Sequence, residues 1–221
     1  CLSDWSSDVC SSDLIVIGAM PLSRARWLPK AISLFTREHP GVDIAVHEGS
    51  HAELSGPLRD GEIDLILGAL REEAEVDDLH QEAVFDDHPA LIMRAGHPLL
   101  QAADPGSQLP DYRWIMPGAE TPLRRYWEAM LRELGLEPPH VEIECGSVIM
   151  VRQLLLSSDA VTLLSPDQLR VALDAGILGS LPTPLPVSRT IGIATRANWR
   201  PTPVQAAFMD TLRQTGRIDA A

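Results

Sequence analysis

Hydroxyl and imidazole side chains stand where predicted strands end and predicted helices begin. In the first half of the chain these places are Pro21-Leu22-Ser23, Ser50-His51 and Ala69-Leu70-Arg71, and in the second half they are Thr121 and Ser147. The beginning of a helix presents free backbone N–H groups and the positive end of the helix dipole. These positions suit a carboxylate or hydroxylated ligand and are the candidate binding residues of the sequence.

Each candidate also has a structural interpretation. Ser23 could only cap the helix that follows it, and His51 could be a solvated residue at a helix start. Arg71 could clamp a carboxylate or be an exposed arginine in an acidic loop. Thr121 and Ser147 are good helix caps by residue type, and a capping hydroxyl can still meet a ligand.

Patterns of catalysis and cofactor binding are missing from the sequence. No pair of histidines has metal-ligand spacing, and there is neither a glycine-rich phosphate loop nor a Gly-x-Ser-x-Gly elbow. Asp64 and Asp86 are isolated and form no convincing acid–base pair, and Cys145 is interpreted as a buried apolar thiol. We therefore expect no enzyme activity, no metal and no cofactor.

Alternating strands and helices must position the candidate residues. The first half of the sequence predicts three strands separated by helices, at Ile15–Gly18, Val42–His47 and Ile63–Gly68. This alternation of strands and helices is typical of a parallel sheet. The segment from Trp114 to Leu164 repeats this layout, and a late strand at Thr190–Thr195 suggests a return to the first unit. We predict an α/β fold of two lobes, each a mostly parallel sheet flanked by helices, with a ligand cleft at the strand ends.

Length and charge restrict the function further. The chain has 221 residues, 45% of them hydrophobic, which is enough for one large domain or two smaller lobes. Its formal charge of −13, without a cluster of lysines and arginines, argues against direct contact with DNA. No apolar run approaches the length of about 18 residues that a membrane helix needs, and no leader is visible. We expect a cytoplasmic protein without membrane contact.

Residues 1–14 are excluded from the fold prediction. Ser3 to Leu14 match the translation of a common short-read sequencing adapter, so this segment is interpreted as an artefact of sequencing. Without Asp4, Asp8 and Asp13 the formal charge becomes −10, and Cys145 is then the single natural cysteine. One cysteine forms no internal disulfide and fits a reducing compartment. On this interpretation the natural protein has further sequence before Ile15.

Short motifs follow one another in a recognisable order between about residues 15 and 215. They include Leu28-Pro29-Lys30-Ala31, His39-Pro40-Gly41-Val42, Leu58-Arg59-Asp60-Gly61-Glu62-Ile63-Asp64-Leu65, Gly96-His97-Pro98-Leu99, Trp114-Ile115-Met116-Pro117 and Thr121-Pro122-Leu123. Each motif alone is weak, but their order and spacing resemble the effector-binding domain of bacterial LysR-type transcription regulators. Two positions depart from that pattern: Leu22 stands where many relatives have Ser or Thr, and His51 where they often have a hydroxyl residue.

The resemblance implies a type 2 periplasmic-binding-protein-like fold with lobe I at 15–87 plus 187–221 and lobe II at 88–186. It implies a small-molecule effector, such as a sugar, a sugar acid or a small aromatic acid, and a helix-turn-helix outside this chain that contacts DNA. It also implies a homodimer or tetramer in which the first helix packs on the partner's second lobe. The residues of that helix available for this contact are Lys30, Ser33, Leu34 and Arg37.

Two other functions remain open at this point. A periplasmic solute receptor of a transporter would have the same fold, and the gene sequence upstream of Ile15 would distinguish it. An enzyme on a similar fold, such as a deaminase of tetrapyrrole synthesis, would need a cofactor-holding cysteine and a cluster of arginines in the cleft. Cys145 lies before a predicted helix, but the arginines are scattered along the sequence.

Overall fold

The computed structural model describes residues 13–72 and 76–219 and forms two five-stranded sheets. The strands are β1 Leu14–Ala19, β2 Asp43–Glu48, β3 Leu65–Ala69, β4 Leu79–Asp87, β5 Ala90–Arg94, β6 Trp114–Met116, β7 Ile143–Glu144, β8 Val161–Leu164, β9 Leu178–Pro182 and β10 Arg189–Arg196. The helices are α1 Trp27–Glu38, α2 His51–Asp60, α3 Pro122–Glu133, α4 Val148–Leu156, α5 Arg170–Asp174 and α6 Pro203–Asp219. None of the helices among these residues is long and apolar enough to cross a membrane.

Both sheets have the same internal arrangement. The first has the order β2-β1-β3-β10-β4 and the second the order β7-β6-β8-β5-β9. In each, three neighbouring strands run parallel, and the two remaining strands add antiparallel pairings. The predicted α/β fold with two lobes is confirmed, and the predicted parallel units are the three-strand portion of two mixed sheets. The late strand β10 does return to the first sheet.

Each sheet has its own hydrophobic core. In the first, Ile15, Ile17, Phe35 and Phe208 are fully buried between the sheet and helices α1 and α6. In the second, the core includes Trp114, Trp127 and Leu131 on the α3 side, with Leu155 of α4. Because these clusters are separate, each lobe carries its own core, and the region between them can hold a cleft.

The start of the first helix agrees with the sequence prediction. Since Pro29 is tolerated in a helix only in its first turn, the sequence predicts a regular helix that begins near Arg26. Helix α1 begins at Trp27, which places Pro29 in that turn, and it ends with His39 as its C-cap. The indole Nε1 of Trp27 donates to the Leu212 carbonyl at 2.9 Å and ties α1 to α6.

Strand β1 includes one residue of the segment 1–14 that the fold prediction excluded. Leu14, the last residue of that segment, is the first residue of β1 and pairs with Asp43 of β2. The expectation for residues 1–12 lies outside the described residues.

The two segments that connect the sheets lie side by side. The chain leaves the first sheet after Asp87, the last residue of β4, and re-enters it at Arg189, the first residue of β10. The Arg189 Nε lies 2.8 Å from the Asp87 carboxylate, with side-chain exposures of 11% and 8%. A shielded ion pair therefore holds the two connections together where the lobes join.

Candidate functional site

The candidate residues of the first sheet share one edge. Strands β1, β2 and β3 are parallel, so their carboxyl ends lie on the same side of the sheet. Ser23 lies in the loop after β1, Ser50 and His51 follow β2, and Ala69 is the last residue of β3. Topology thus brings together the three sequence-predicted places of this half.

Ser23 does not cap helix α1, which was the structural alternative to ligand binding. The N-cap of α1 is Arg26, without a side-chain capping hydrogen bond, so the interpretation of Ser23 as helix cap was wrong. Ser23 is fully buried, and its hydroxyl donates to the Met20 carbonyl at 2.8 Å. The residue closes the turn after β1, because its carbonyl also accepts from the Leu28 N–H at 2.9 Å. Pro21 and Leu22 belong to the same turn, and Leu22 packs into the core.

Ser50 begins α2 with a reciprocal capping box. The Glu53 N–H donates to the Ser50 hydroxyl at 3.4 Å, and the Ser50 N–H donates to the Glu53 carboxylate at 2.7 Å. The Ser50 N–H and the Ser50 hydroxyl, which donates at 2.8 Å, both bind the charged Glu53 carboxylate and lower the pKa of Glu53 from its ordinary value of 4.5. His51, the first helical residue, is half-buried beside this cap.

The loop after β3 is fixed by an amide side chain. Gln81 accepts from the Arg71 N–H and donates to the Arg71 carbonyl, both at 2.9 Å. Arg71 is half-buried, so it is less exposed than the alternative of an exposed loop arginine predicts. Ala69 keeps its place in the sheet by pairing with Ile191 of β10.

The second sheet offers a matching edge. Strands β6, β7 and β8 are parallel, so the loops after them also lie together. Thr121 is the N-cap of α3 and accepts from the Arg124 N–H, and Ser147 is the N-cap of α4 and accepts from the Met150 N–H, each at 3.4 Å. The predicted capping roles of both residues are confirmed. The third loop begins with buried Ser165 after β8, a position that the sequence analysis did not select.

A cavity of about 310 Å³ is lined by both lobes. The first lobe contributes Ala25 and Arg26, and the second contributes residues of α4, α5 and the 3-10 helix between β8 and α5. These residues are Val148, Ile149, Arg152, Asp167, Gln168, Leu169, Arg170, Val171 and Ala172. The predicted binding residues do not line this cavity themselves, but Ala25 lies two residues after Ser23, and Val148 directly follows Ser147.

An ion pair spans the two lobes at this cavity. The Arg26 Nη1 lies 3.6 Å from the Asp167 carboxylate, and Arg170 Nη2 donates to the same carboxylate oxygen at 2.9 Å. The hydrogen bond to Asp167 is the main cause of a raised pKa for Arg170. The arginines of the cavity were missed from the sequence, where only their proximity to predicted helix starts could have indicated them.

Among the residues that the structure describes, the remaining titratable groups do not assemble into a metal site. No group of three or more His, Cys, Asp or Glu side chains within residues 13–72 and 76–219 is placed to hold an ion. Cys145, expected to be buried, is partly buried against the core of the second lobe. Its thiol is directed to the Ser147 carbonyl at 3.7 Å.

Comparison with known proteins relates this geometry to a family. The LysR substrate binding domain matches residues 11–217. HTH-type transcriptional regulator GalR of Pseudomonas putida is 34% identical over 202 residues, which cover 91% of this chain and 51% of GalR. The chain thus spans about half the length of that relative.

Two solved structures show the same fold. The cofactor-binding domain of the Cbl transcriptional regulator has a TM-score of 0.81 and 17% identity, covering 99% of this chain and 96% of that one. The effector binding domain of QuiR in complex with shikimate has a TM-score of 0.79 and 17% identity, covering 94% and 99%.

These matches agree with the predicted two-lobed, periplasmic-binding-protein-like architecture, and they favour neither the transport receptor nor the tetrapyrrole enzyme considered from the sequence. The chain belongs to the LysR substrate-binding domain family, the effector-binding part of a non-enzymatic family of transcription regulators.

Proposed function

We propose that this chain senses a small metabolite between its two lobes and thereby regulates a DNA-binding domain that lies outside it. The observation that carries the proposal is the cavity of about 310 Å³ to which both lobes contribute residues. A ligand in that position contacts two independently cored units, so it can favour one relative arrangement of the lobes. With the family assignment, this supports a cytoplasmic bacterial regulator rather than a transport receptor.

The contacts across the cavity are weak enough for ligand to shift them. The Arg26–Asp167 pair is 3.6 Å long, with side-chain exposures of 39% and 31%. Exposed ion pairs contribute roughly 0–1 kcal/mol to stability. Allosteric coupling energies are typically about 1–3 kcal/mol, so a ligand that contacts both lobes can shift the equilibrium between their relative arrangements.

We place the effector where this cavity adjoins the facing edges of the two sheets, because Ala25 of its lining lies two residues after Ser23 and Val148 directly follows Ser147. The proposed contacts are Pro21, Leu22, Ser23, Ser50, His51, Ala69, Thr121 and Ser147, with lobe I at residues 15–87 plus 187–221 and lobe II at 88–186. The capping hydroxyls of Ser50, Thr121 and Ser147 support this placement, because each sits beside the free N–H groups of a helix start.

We further propose that two copies of the chain associate through α1 and the second lobe. Lys30, Ser33 and Arg37 of α1 are exposed and Leu34 is half-exposed, whereas Trp27, Leu28, Ala31 and Phe35 form the buried face of that helix. On the second lobe, Met150 of α4 is 54% exposed. The partner's α1 would cover this apolar side chain.

Thermal unfolding with sugars, sugar acids and small aromatic acids tests the sensing function. A ligand present at 100 times its dissociation constant should add about 2.7 kcal/mol to the free energy of unfolding. The variants His51→Ala and Ser147→Gly should lose most of that gain, and glycine largely preserves a helix cap. His47→Ala is the matched control, because His47 is exposed on β2. Equal binding by all three variants would contradict the proposed site, and no stabilisation by any compound would contradict the function.

A further inference from the structure

Two short connections carry the chain between the lobes. The first joins Asp87, the last residue of β4, to Ala90, the first residue of β5, through His88 and Pro89. The proline fixes its own φ, and it also restricts the backbone of the histidine before it. At about 3.6 Å per residue, this connection spans at most roughly 11 Å. The lobes can therefore turn about this connection, but they stay close together there.

The second connection is short because its final part belongs to the core of the second lobe. Strand β10 begins at Arg189 in the first lobe, and Val187, two residues earlier, is buried in the core of the second lobe. Ser188 alone therefore separates a residue anchored in one lobe from a residue anchored in the other. Together with His88 and Pro89, Ser188 forms the hinge of the molecule.

The Asp87–Arg189 ion pair closes the hinge on the side of the first lobe. These two residues lie opposite each other in the terminal pairing of β4 with β10. The register shift between Ile191 and Gly192 interrupts the same ladder a short distance away. Strand ends open more readily than strand centres, so a side-chain contact at the terminal pairing has a large effect on where the sheet ends.

This ion pair is more buried than an ordinary surface contact. The Arg189 Nε lies 2.8 Å from the Asp87 carboxylate, and the side chains are 11% and 8% exposed. Taking two charges out of water costs free energy that their attraction only roughly offsets, so such a pair specifies an arrangement more than it stabilises a fold. Within the described part of the chain, the buried Nη2 of Arg189 has no hydrogen-bond partner, so the Nε carries the contact.

We infer that the Asp87–Arg189 pair is the positioning contact of the hinge, and that it limits the lobes to a narrow range of relative arrangements by keeping the ends of β4 and β10 together. The inference rests on the proposed sensing function and concerns its regulation. When the pair opens, backbone next to His88 and Ser188 leaves the sheet, and the hinge lengthens into the first lobe. Because apparent affinity falls with the fraction of molecules in the binding-competent arrangement, a longer hinge weakens effector binding.

Distances between spin labels on the two lobes, measured by double electron–electron resonance without any ligand, test the inference. The labels are attached at Asp60→Cys and Glu133→Cys, after the other cysteines of the chain have been replaced by serine. Both positions are exposed, and they are the last residues of α2 and α3, one in each lobe. An excess of unlabelled protein ensures that distances within one chain dominate the signal.

The variants separate the ion pair from other contacts of the same strands. Arg189→Gln and Asp87→Asn remove the ion pair but keep polar side chains, and each should broaden the distance distribution by about twofold or more. Arg189→Lys keeps the positive charge and should retain the parent width, as should the exchanged pair Asp87→Arg with Arg189→Asp. Thr190→Val is the matched control with parent-like width, because it removes only the exposed 3.0 Å hydrogen bond from the Thr190 hydroxyl to Asp86 in the neighbouring pairing.

Circular dichroism and the melting temperature show whether each variant is folded. Parent-like widths in both Arg189→Gln and Asp87→Asn would overturn the inference even if their melting temperatures fall, because the pair would then only stabilise the first lobe. Equal broadening by Thr190→Val would overturn it too, as would a lysine variant and an exchanged pair that are both as broad as Arg189→Gln.

The outcomes also separate this inference from the proposed function. A metabolite that stabilises the parent and Asp87→Asn equally, with the same label distances in both, would support sensing and contradict the inference. Broadening by Arg189→Gln and Asp87→Asn, together with no stabilisation by any metabolite, would support the inference and contradict the sensing function.

Discussion

The Arg196 side chain joins two distant parts of the first lobe. Its Nη1 donates to the Leu58 carbonyl at 2.7 Å and to the Ile63 carbonyl at 2.8 Å. Both acceptors flank Gly61, which ends α2 in the left-handed conformation with φ of 82°. One guanidinium nitrogen thus fastens the end of β10 to the turn between α2 and β3.

We predict that Arg196→Gln lowers the free energy of unfolding by about 1.5–3 kcal/mol, the usual range for hydrogen bonds to charged groups. The shorter amide side chain cannot hold both carbonyls. Urea denaturation measures the change. Arg200→Gln removes the same charge at an exposed position near the same strand and should cost less than about 0.5 kcal/mol. Equal losses in the two variants would show that charge, rather than this contact, is responsible.

At the residue scale, residue types at predicted helix starts identified helix caps better than they identified ligand contacts. Ser50, Thr121 and Ser147 cap their helices as their residue types predict. Ser23 does not, because two tight turns, from Ser23 N–H to Met20 and from Ala25 N–H to Leu22, delay the helix until Trp27. A cap-forming residue type shows that a helix can start there, but not how many turns come first.

Among the elements, β10 depends on a glycine where its register with β4 shifts. The shift lies between Ile191 and Gly192. A Cβ at Gly192 would lie 2.0 Å from the backbone carbonyl oxygen of Glu82. Since backbone cannot move aside as a flexible side chain can, this position admits no larger residue without separating β10 from β4.

Gly192→Ala should therefore destabilise the chain by more than about 2 kcal/mol, a loss typical of overpacking with backbone displacement. Gly146→Ala is the control, because a Cβ there meets nothing within 4 Å. That substitution should change the free energy of unfolding by less than about 1 kcal/mol. Denaturant unfolding followed by circular dichroism measures both, and a Gly192→Ala variant as stable as the parent would contradict the described register.

Strand existence was easier to predict than strand extent. The strands predicted at Val42–His47 and Trp114–Met116 appear as β2 and β6, shifted by at most one residue. The alternation Val141-Glu142-Ile143 predicts a strand at these residues, but β7 is Ile143–Glu144, because Ile115 and Met116 of β6 pair with Ile143 and Glu144. The segment from Leu181 to Val187 holds three prolines, which predicts a linker or an edge strand, and the edge strand β9 begins before it, at Leu178. Hydrophobic pattern locates a strand, whereas the partner strand decides where pairing stops.

At the scale of the whole molecule, the two-lobed plan follows from the repeated order of strands and helices, but the charged cavity does not. Arg26 lies in the first lobe, and Arg152 and Arg170 in the second, so their convergence depends on how the lobes face each other. No local pattern carries that information. The same limitation applies to surfaces between chains, which local sequence indicates only through exposed apolar side chains.

The proposed association of two chains can be tested from both of its surfaces. Leu34→Glu on α1 and Met150→Glu on α4 would each place a carboxylate in an apolar contact. A cost of about 1 kcal/mol at each of the two equivalent contacts of the dimer corresponds to a roughly thirtyfold weaker dimer. Ala129→Glu is the control, because Ala129 is exposed on α3 away from both helices. Sedimentation equilibrium measures the dissociation constants, and circular dichroism checks that each variant is folded.

The two surfaces must respond together if they meet across the dimer. In an antiparallel pair, α1 of each chain contacts α4 of the other, so each substitution affects two equivalent contacts. Weakening by Leu34→Glu alone would show that α1 pairs with a different surface, and weakening by Met150→Glu alone would show the same for α4. Parent-like association of both variants would place the dimer contact elsewhere on the molecule.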